Sequence, residues 1–207
     1  MKNRLPALIF GVCCTALCFV HGAEYEGIAV TTIGKVDKAV VEQVRAYAGE
    51  QYRLRVDLLP GIDGAAVVEQ AKERLVGVIR PRDACLLALA ELPDLKHQGM
   101  VFMKERCGIV NVAALRRAGE EKPDTATLMR RVESESMRAI ALMVGVEPCP
   151  FPRCALRQHQ SAEELDRKSR NPCPPCITKV HDKLAELGIL LPKETPEAPQ
   201  RVRPEDK

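Results

Sequence analysis

Four cysteines near the end of the chain have the spacing of a metal site. Cys149 and Cys154 form a C-x4-C pair, and Cys173 and Cys176 form a C-x2-C pair, with residues 155–172 between them. Two short-spaced thiol pairs are typical of a tetrahedral site, above all one that holds zinc. The spacing therefore predicts that these four cysteines are metal ligands.

Two other chemistries use the same thiols. An oxidising compartment would convert the four cysteines to two disulfides that join the same segments. The sequence CPPC, from Cys173 to Cys176, could also be a redox pair, because a helix N-terminus lowers the pKa of a thiol. No βαβ unit is predicted around this motif, as a thioredoxin-like site would require. The spacing favours zinc, whereas export favours disulfides.

The first residues have the organisation of a secretory signal peptide. Lys2 and Arg4 precede an apolar run over residues 5–20, and small residues follow up to Ala23. The run is short for a membrane span, and no second hydrophobic segment follows it. We therefore expect cleavage near Ala23 and an exported, periplasmic or extracellular chain without a membrane anchor.

The composition of the mature chain indicates which classes of partner to expect and which residues form the core. Loss of residues 1–23 removes Lys2 and Arg4 and no acidic residue, so the net charge falls from +3 to +1. This charge predicts neither a nucleic-acid partner nor a membrane surface. Tryptophan is absent and aromatic residues make up 3% of the chain, so an aliphatic core is expected.

Basic residues near the cysteines are interleaved with acidic ones, which predicts a solvated surface. The basic residues are Arg153, Arg157, Arg167, Lys168 and Arg170, and the acidic ones are Glu163, Glu164 and Asp166.

The hydrophobic pattern predicts an α/β fold with strands and helices in layers. The predicted strands are YEGIAVTTIG, YRLRVDLL, LVGVIR, GMVFM and CGIVNVAAL, and the predicted helices are VDKAVVEQVRAYAGE, GAAVVEQAKERL and RDACLLALAEL. Cys85 is thus predicted on a helix and Cys107 at a strand start. They are either buried free thiols or a disulfide.

The longest predicted helix is DTATLMRRVESESMRAIALMVG, capped by Asp124 or Thr125 and closed by Gly145. A short helix follows at SAEELDRK, where Ser161 and Glu164 can form a capping box, and a last helix at ITKVHDKLAEL. The proline-rich, charged tail over residues 192–207 is expected to be disordered.

Gly145 and the four cysteines resemble a motif of the archaemetzincins, zinc-dependent metallopeptidases of the metzincin type. The family motif is H-E-x-x-H-x-x-G-x-x-H-C-x4-C followed by C-x-x-C. The segments LVGVIRPRDAC and GMVFMKERCGIVNVAAL also resemble the family's upstream strands, so the resemblance spans most of residues 24–187. It implies a metzincin-like mixed sheet, a long active-site-type helix and a four-cysteine C-terminal subdomain.

The resemblance also implies one structural zinc that ties the long helix to the last one. Residues 149–187 contain few apolar residues and many prolines, so we expect metal, more than burial, to hold them. The predicted organisation is a signal peptide at 1–23, one domain at 24–191 with its metal-binding part at 149–187, and the tail.

The family's catalytic residues are replaced in this chain. The three histidine positions correspond to Arg138, Leu142 and Pro148, and the glutamate position to Ala139. Arginine stays protonated, leucine and proline have no donor atom, and alanine cannot act as a base. The sequence therefore predicts no catalytic zinc.

Remote histidines offer a second source of ligands. His97, His159 and His181 could combine with Glu133 or Glu135, although each histidine alone is typical of a solvated residue.

The favoured hypothesis is an exported zinc-binding pseudopeptidase that binds a peptide or protein in a groove beside the long helix. The alternatives are a metallopeptidase with an unrecognised site and a thiol oxidoreductase that uses CPPC.

Overall fold

A computed structural model of the chain describes residues 25–63, 67–117, 123–160 and 162–193. The predicted signal peptide, Ser161 of the predicted capping box and the tail from residue 194 lie outside the described residues.

The described chain forms a five-stranded sheet and six helices. The strands are β1 Gly27–Ile33, β2 Val56–Leu58, β3 Asp83–Ala90, β4 Gly99–Phe102 and β5 Cys107–Asn111. The helices are α1 Lys38–Tyr52, α2 Val68–Val78, α3 Val112–Arg117, α4 Thr125–Met143, α5 Ala162–Arg167 and α6 Pro174–Glu186. The strand order is β2-β1-β3-β5-β4, and β4 pairs antiparallel to β5 while the other pairs are parallel. The predicted mixed α/β fold is confirmed.

The sheet separates two hydrophobic cores. One face packs against α1, α4 and α6, and the other packs against α2 through Ala71 and Leu75. Leu86 pairs with Cys107 across β3 and β5, so their side chains point to the same face, and Cys85 points to the opposite face. The two cysteines belong to different cores, which excludes the disulfide between them that the sequence left open.

Two predicted elements were wrong. The segment RDACLLALAEL was predicted as a helix, but its residues 83–90 form β3, in which every residue is buried. A strand covered on both faces has no alternation of apolar and polar residues, so periodicity did not distinguish it from a buried helix. The segment LVGVIR was predicted as a strand, but α2 continues to Val78. Only Leu75 of that segment is fully buried, while Val76 and Val78 are exposed.

The chain also leaves β5 earlier than predicted. CGIVNVAAL was expected to be one strand, but the strand ends at Asn111 and α3 starts at Val112. The Asn111 side chain donates to the carbonyl of Leu92 and accepts from its backbone amide. These bonds fix the strand end to the preceding loop.

The C-terminal third packs into the core beside α1 and α4. It contributes the buried apolar residues Cys154, Ala155, Leu156, Leu165, Val180, Leu184 and Ile189. Burial therefore contributes to holding residues 149–187, in addition to any metal. None of the helices within the described ranges is long and apolar enough to cross a membrane.

Candidate functional site

Helix α4 leads directly into the candidate site. Its N-cap residue Asp124 accepts a hydrogen bond from the Thr127 amide at 2.6 Å, which satisfies one free N–H group of the first turn. At the other end Gly145 has φ of 91°. The Gly145 amide bonds to the Leu142 carbonyl and the Val146 amide to the Ala141 carbonyl, the double pattern of a glycine-terminated helix. The predicted helix and its turn are confirmed.

The four positions that the sequence pattern aligns with the family's catalytic residues have different environments. Ala139 is 2% exposed and belongs to the core. Leu142 is half-buried, and Pro148 is exposed in the loop after the turn. Arg138 keeps 16% of its side chain exposed and bonds to Glu135 on the preceding turn. None of these four side chains offers a metal-binding lone pair at neutral pH.

The four predicted ligands, Cys149, Cys154, Cys173 and Cys176, lie together beyond this turn. Their Sγ atoms all lie within 4.8 Å of one another. The Sγ atoms of Cys149 and Cys173 are 3.8 Å apart, and four sulfurs at about 2.3 Å from a common zinc ion would be about 3.8 Å apart. Type, number and spacing of the donors therefore fit a tetrahedral metal ion.

Two segments position these thiols. Cys149 and Cys154 lie in the loop after α4, Cys173 is the N-cap residue of α6, and Cys176 lies in its first turn. The Phe151 amide bonds to the sulfur of Cys149 at 3.4 Å, and the Cys173 amide bonds to the sulfur of Cys154 at 3.3 Å. Donors that point at sulfur favour thiolates, the form that binds metal.

Burial and neighbouring groups change the thiol pKa values in opposite directions. Burial raises the pKa of Cys154 and of Cys176. At Cys173 burial also opposes ionisation, but hydrogen bonds from the Cys176 amide and from the other thiols lower its pKa overall. Cys173 is thus the thiol that ionises most readily of these three, and a bound cation would favour the thiolate at all of them.

The chain is similar in sequence to two archaemetzincins. The Archaemetzincin of Saccharolobus solfataricus is 21% identical over 171 residues, which is 74% of this chain and 92% of that protein. The Archaemetzincin of Pyrococcus furiosus is 33% identical over 64 residues, 31% of this chain and 33% of that protein. No protein-family model matches the chain.

Solved structures share the fold. The archaemetzincin of Methanopyrus kandleri matches with a TM-score of 0.60 and 21% identity, over 80% of this chain and 99% of that one. A zinc-dependent peptidase of Methanocorpusculum labreanum matches with a TM-score of 0.59 and 17% identity, over 74% of this chain and 100% of that one. The chain is archaemetzincin-like. The predicted resemblance to the archaemetzincins is confirmed.

The archaemetzincin-like chain also contains a buried ionic cluster that the sequence did not predict. Its centre is Glu135, on α4 one turn before Arg138, with 1% of its side chain exposed. The Lys168 Nζ lies 3.4 Å from Glu135 Oε1 and 3.3 Å from His159 Nδ1. The His159 Nδ1 lies 3.3 Å from the same carboxylate oxygen, and its Nε2 bonds to the Gln98 side chain. We call these five residues the Glu135 cluster.

The Glu135 cluster corrects two predictions of a solvated surface. Lys168 has 1% of its side chain exposed and His159 has 8%. Burial lowers the pKa of His159, although Glu135 opposes this shift, and burial likewise lowers the pKa of Lys168. A neutral His159 can donate a hydrogen bond from Nε2 to Gln98 and accept one from the Lys168 ammonium at Nδ1. Both ring nitrogens then have a partner.

The other histidines of the archaemetzincin-like chain are distributed differently. His97 lines the same cavity as His159 and Glu135, so the structure brings part of the remote ligand set together. His181 lies on α6 and does not line this cavity. Glu133 is bonded to Gln43 at 2.8 Å and to Arg170 at 3.2 Å, away from that cavity.

Polar contacts join α4 to the C-terminal third and to α1. Arg131 forms two hydrogen bonds to the Asp166 carboxylate, at 2.8 and 2.7 Å, and these bonds lower the pKa of Asp166. The buried Tyr52 hydroxyl donates to the Met137 carbonyl at 2.8 Å. The i, i+3 spacing of Glu135 and Arg138 was visible in the sequence, but the contact with Lys168 depends on the fold.

Proposed function

We propose that the chain is an exported, archaemetzincin-like protein that holds one structural zinc ion, does not hydrolyse peptides, and binds a peptide or protein beside α4. The observation that carries this proposal is a contrast. Four thiol donors lie within 4.8 Å of one another after the Gly145 turn, while Arg138, Ala139 and Leu142 on α4 offer no metal ligand and no base.

The zinc ion would be held by Cys149, Cys154, Cys173 and Cys176. When bound, it would supply a cross-link between the end of α4 and the start of α6 without any open position for water. The test is metal analysis of the purified mature chain together with a count of free thiols. We expect about one zinc per chain. A chain with no metal and no free thiols at these positions would contain two disulfides instead.

Peptidase activity is expected to be absent even with added zinc. A metallopeptidase needs a carboxylate that takes a proton from metal-bound water, and Ala139 stands at that position. The assay uses a mixed peptide library, with cleavage followed by mass spectrometry. Cleavage that co-purifies with the chain and is abolished by a chelator would contradict the proposal.

A groove beside α4 supports peptide binding. A cavity of about 250 Å³ lies between α4, the start of β4 and the loop that carries His159. β4 is an edge strand of the sheet, and an edge strand can pair with an extended peptide through main-chain hydrogen bonds. Binding of library peptides to the immobilised mature chain tests this part, and uniform failure of all peptides to bind would refute it.

Export is tested separately. Mass spectrometry of the exported chain should find an N-terminus near Glu24, because cleavage is expected after the small residues that follow the apolar run. Met1 still attached to exported protein would contradict this.

One observation favours an alternative, a metallopeptidase with an unrecognised site. His97, His159 and Glu135 line one cavity, and histidine and carboxylate are zinc ligands. Against it, Lys168 and Arg138 lie beside the same carboxylate and repel a divalent ion. The chelator-sensitive peptidase assay separates the two functions.

A further inference from the structure

The charges around Glu135 do not balance. Lys168 and Arg138 both lie within ion-pair distance of this single carboxylate. The Glu135 cluster therefore places two basic side chains against one carboxylate. A buried charge without a full counter-charge is costly, and proteins usually compensate it.

Arg138 has spare hydrogen-bonding capacity. Its one bond to Glu135 is long, at 3.3 Å from Nη1 to Oε2. Its Nε is buried and has no hydrogen-bond partner among the described residues. A guanidinium presents five N–H donors in a fixed fork. Because the Nε is covered by protein, the Nη groups are the donors that remain for an acceptor in the cavity.

The cavity beside α4 provides room for that acceptor. Arg138 and Glu135 line it, together with Lys96, His97, Gln98, Gly99, His159 and Gln160. Lys96 adds a second cation to the lining and is exposed. The one carboxylate in this described lining, that of Glu135, is already paired with Lys168 and Arg138.

We propose that this cavity binds the C-terminal carboxylate of a peptide, held by Arg138 and Lys96. This rests on the proposed peptide-binding function and specifies which part of the peptide is recognised. Arginine binds carboxylates through two parallel N–H bonds, and a singly charged anion balances the excess charge of the Glu135 cluster. A dianionic phosphate would bring its second negative charge close to the Glu135 carboxylate, which repels it. A divalent cation would be repelled by Arg138, Lys168 and Lys96.

The edge strand gives the direction of approach. The cavity includes Gly99, the first residue of β4, so a chain that ends in the cavity can continue along this strand. A hypothetical Cβ at Gly99 would lie 3.0 Å from Glu135 Oε2, so the absence of a side chain there lets the strand approach the carboxylate closely.

The test is an NMR titration of the mature chain in which the Arg138 Nε–H signal is observed. The probes are N-acetylglycine and its amide, N-acetylglycinamide, which differ in the carboxylate. We expect N-acetylglycine to shift the Arg138 signal saturably and the amide to leave it unchanged. Equal effects of both probes, or no shift with either, would overturn the inference.

Variants test which residues hold the anion. Arg138→Gln should weaken N-acetylglycine binding about tenfold or more, because a charge-assisted bidentate contact is lost. Lys96→Gln should weaken it severalfold, and since Lys96 is exposed this variant keeps the test valid if Arg138→Gln unfolds. The matched control is Arg130→Gln, an exposed arginine of α4 that does not line this cavity and should leave binding unchanged.

Competing ligands provide the remaining outcomes. Phosphate that binds more tightly than N-acetylglycine would show that the carboxylate assignment is wrong. Zinc that shifts His159 and excludes N-acetylglycine would identify a metal site instead. An amidated peptide with an internal aspartate that binds as well as the free acid would refute recognition of the C-terminus.

Peptide pairs separate this inference from the proposed function. If library peptides bind equally as acids and amides while N-acetylglycine leaves Arg138 unshifted, the inference fails and peptide binding stands. If N-acetylglycine binds but no peptide does, the proposed peptide-binding function fails and so does recognition of a peptide C-terminus, although the cavity binds a small carboxylate.

Discussion

The cysteines lie after the Gly145 turn in the chain, and Glu135 lies before it on α4. The negative charge at these two centres is compensated in different ways. Four thiols within 4.8 Å of one another repel each other once ionised and require a cation from outside. At the Glu135 cluster the cation belongs to the chain, because Lys168 contacts both Glu135 and His159. The two centres therefore differ in the source of the compensating cation, which would be a bound ion for the ionised thiols and is Lys168 for Glu135.

The strongest test of this comparison is loss of one thiol. Cys173→Ser should abolish zinc binding and increase hydrogen exchange in residues 149–187, because three thiols leave the site incomplete. Structural zinc contributes on the order of 10 kcal/mol in small modules. Here the free energy of unfolding should fall by less, about 3–5 kcal/mol, since Val180 and Leu184 remain buried in the core. Metal analysis, exchange and denaturant unfolding measure these effects.

The control for that experiment is Cys85→Ser, which alters a buried thiol outside the metal site. Its zinc content should equal that of the native chain. Retention of zinc by Cys173→Ser would contradict ligation by this cysteine.

Removal of the Glu135 carboxylate should have the next largest effect. Glu135→Ala leaves Lys168 and Arg138 without their shared anion, and breaking a buried pair costs about 3–5 kcal/mol. Denaturant unfolding measures the loss. Glu42→Gln, which changes a half-exposed glutamate of α1, should cost under about 0.5 kcal/mol.

A double variant sharpens this prediction. Glu135→Gln combined with Lys168→Met removes both charges of the pair and should recover part of the stability. A double variant that is less stable than the sum of the two single changes would contradict the charge argument.

The pH dependence of stability should carry a smaller contribution from His159. Burial lowers its pKa from the ordinary 6.5, so above pH 6.5 the side chain is neutral in both states. As the pH falls below 6.5 the unfolded state binds a proton that the folded state does not, and the free energy of unfolding decreases until the folded-state pKa is reached.

Unfolding curves at several pH values test this prediction. His159→Gln should remove the decrease below pH 6.5, and His97→Gln, an exposed histidine, should leave it in place. A stability that increases as the pH falls through 6.5 would show the opposite sign for the shift.

The smallest expected effect is on metal content when the α4 face is changed. Arg138→Ala should leave the zinc content of the mature chain unchanged, because Arg138 lies in the Glu135 cluster and not among the four thiols. Metal analysis provides the measurement. A lower zinc content would mean that the two centres are coupled.

Local patterns predicted much of the fold. β1, α1, β4 and α4 were predicted because their cap residues, turn residues and periodicity are local properties. The segment that forms β3 was wrongly predicted as a helix, because burial on both faces removes the alternation of apolar and polar residues that identifies a strand. α2 was predicted too short because Val76 and Val78, which favour strands, are exposed residues of a helix.

The sequence by itself determined the candidate metal donors and the turn before them. The donors were predicted because residue type and short spacing can be read directly from the sequence; they are Cys149, Cys154, Cys173 and Cys176. The turn was predicted at Gly145 because a positive φ favours glycine. The tertiary structure decided the rest. It placed Cys85 and Cys107 on opposite faces of the sheet, and it buried Lys168 against Glu135. The charge of a lysine and the spacing of two cysteines are local, but what a side chain contacts depends on segments that only folding brings together.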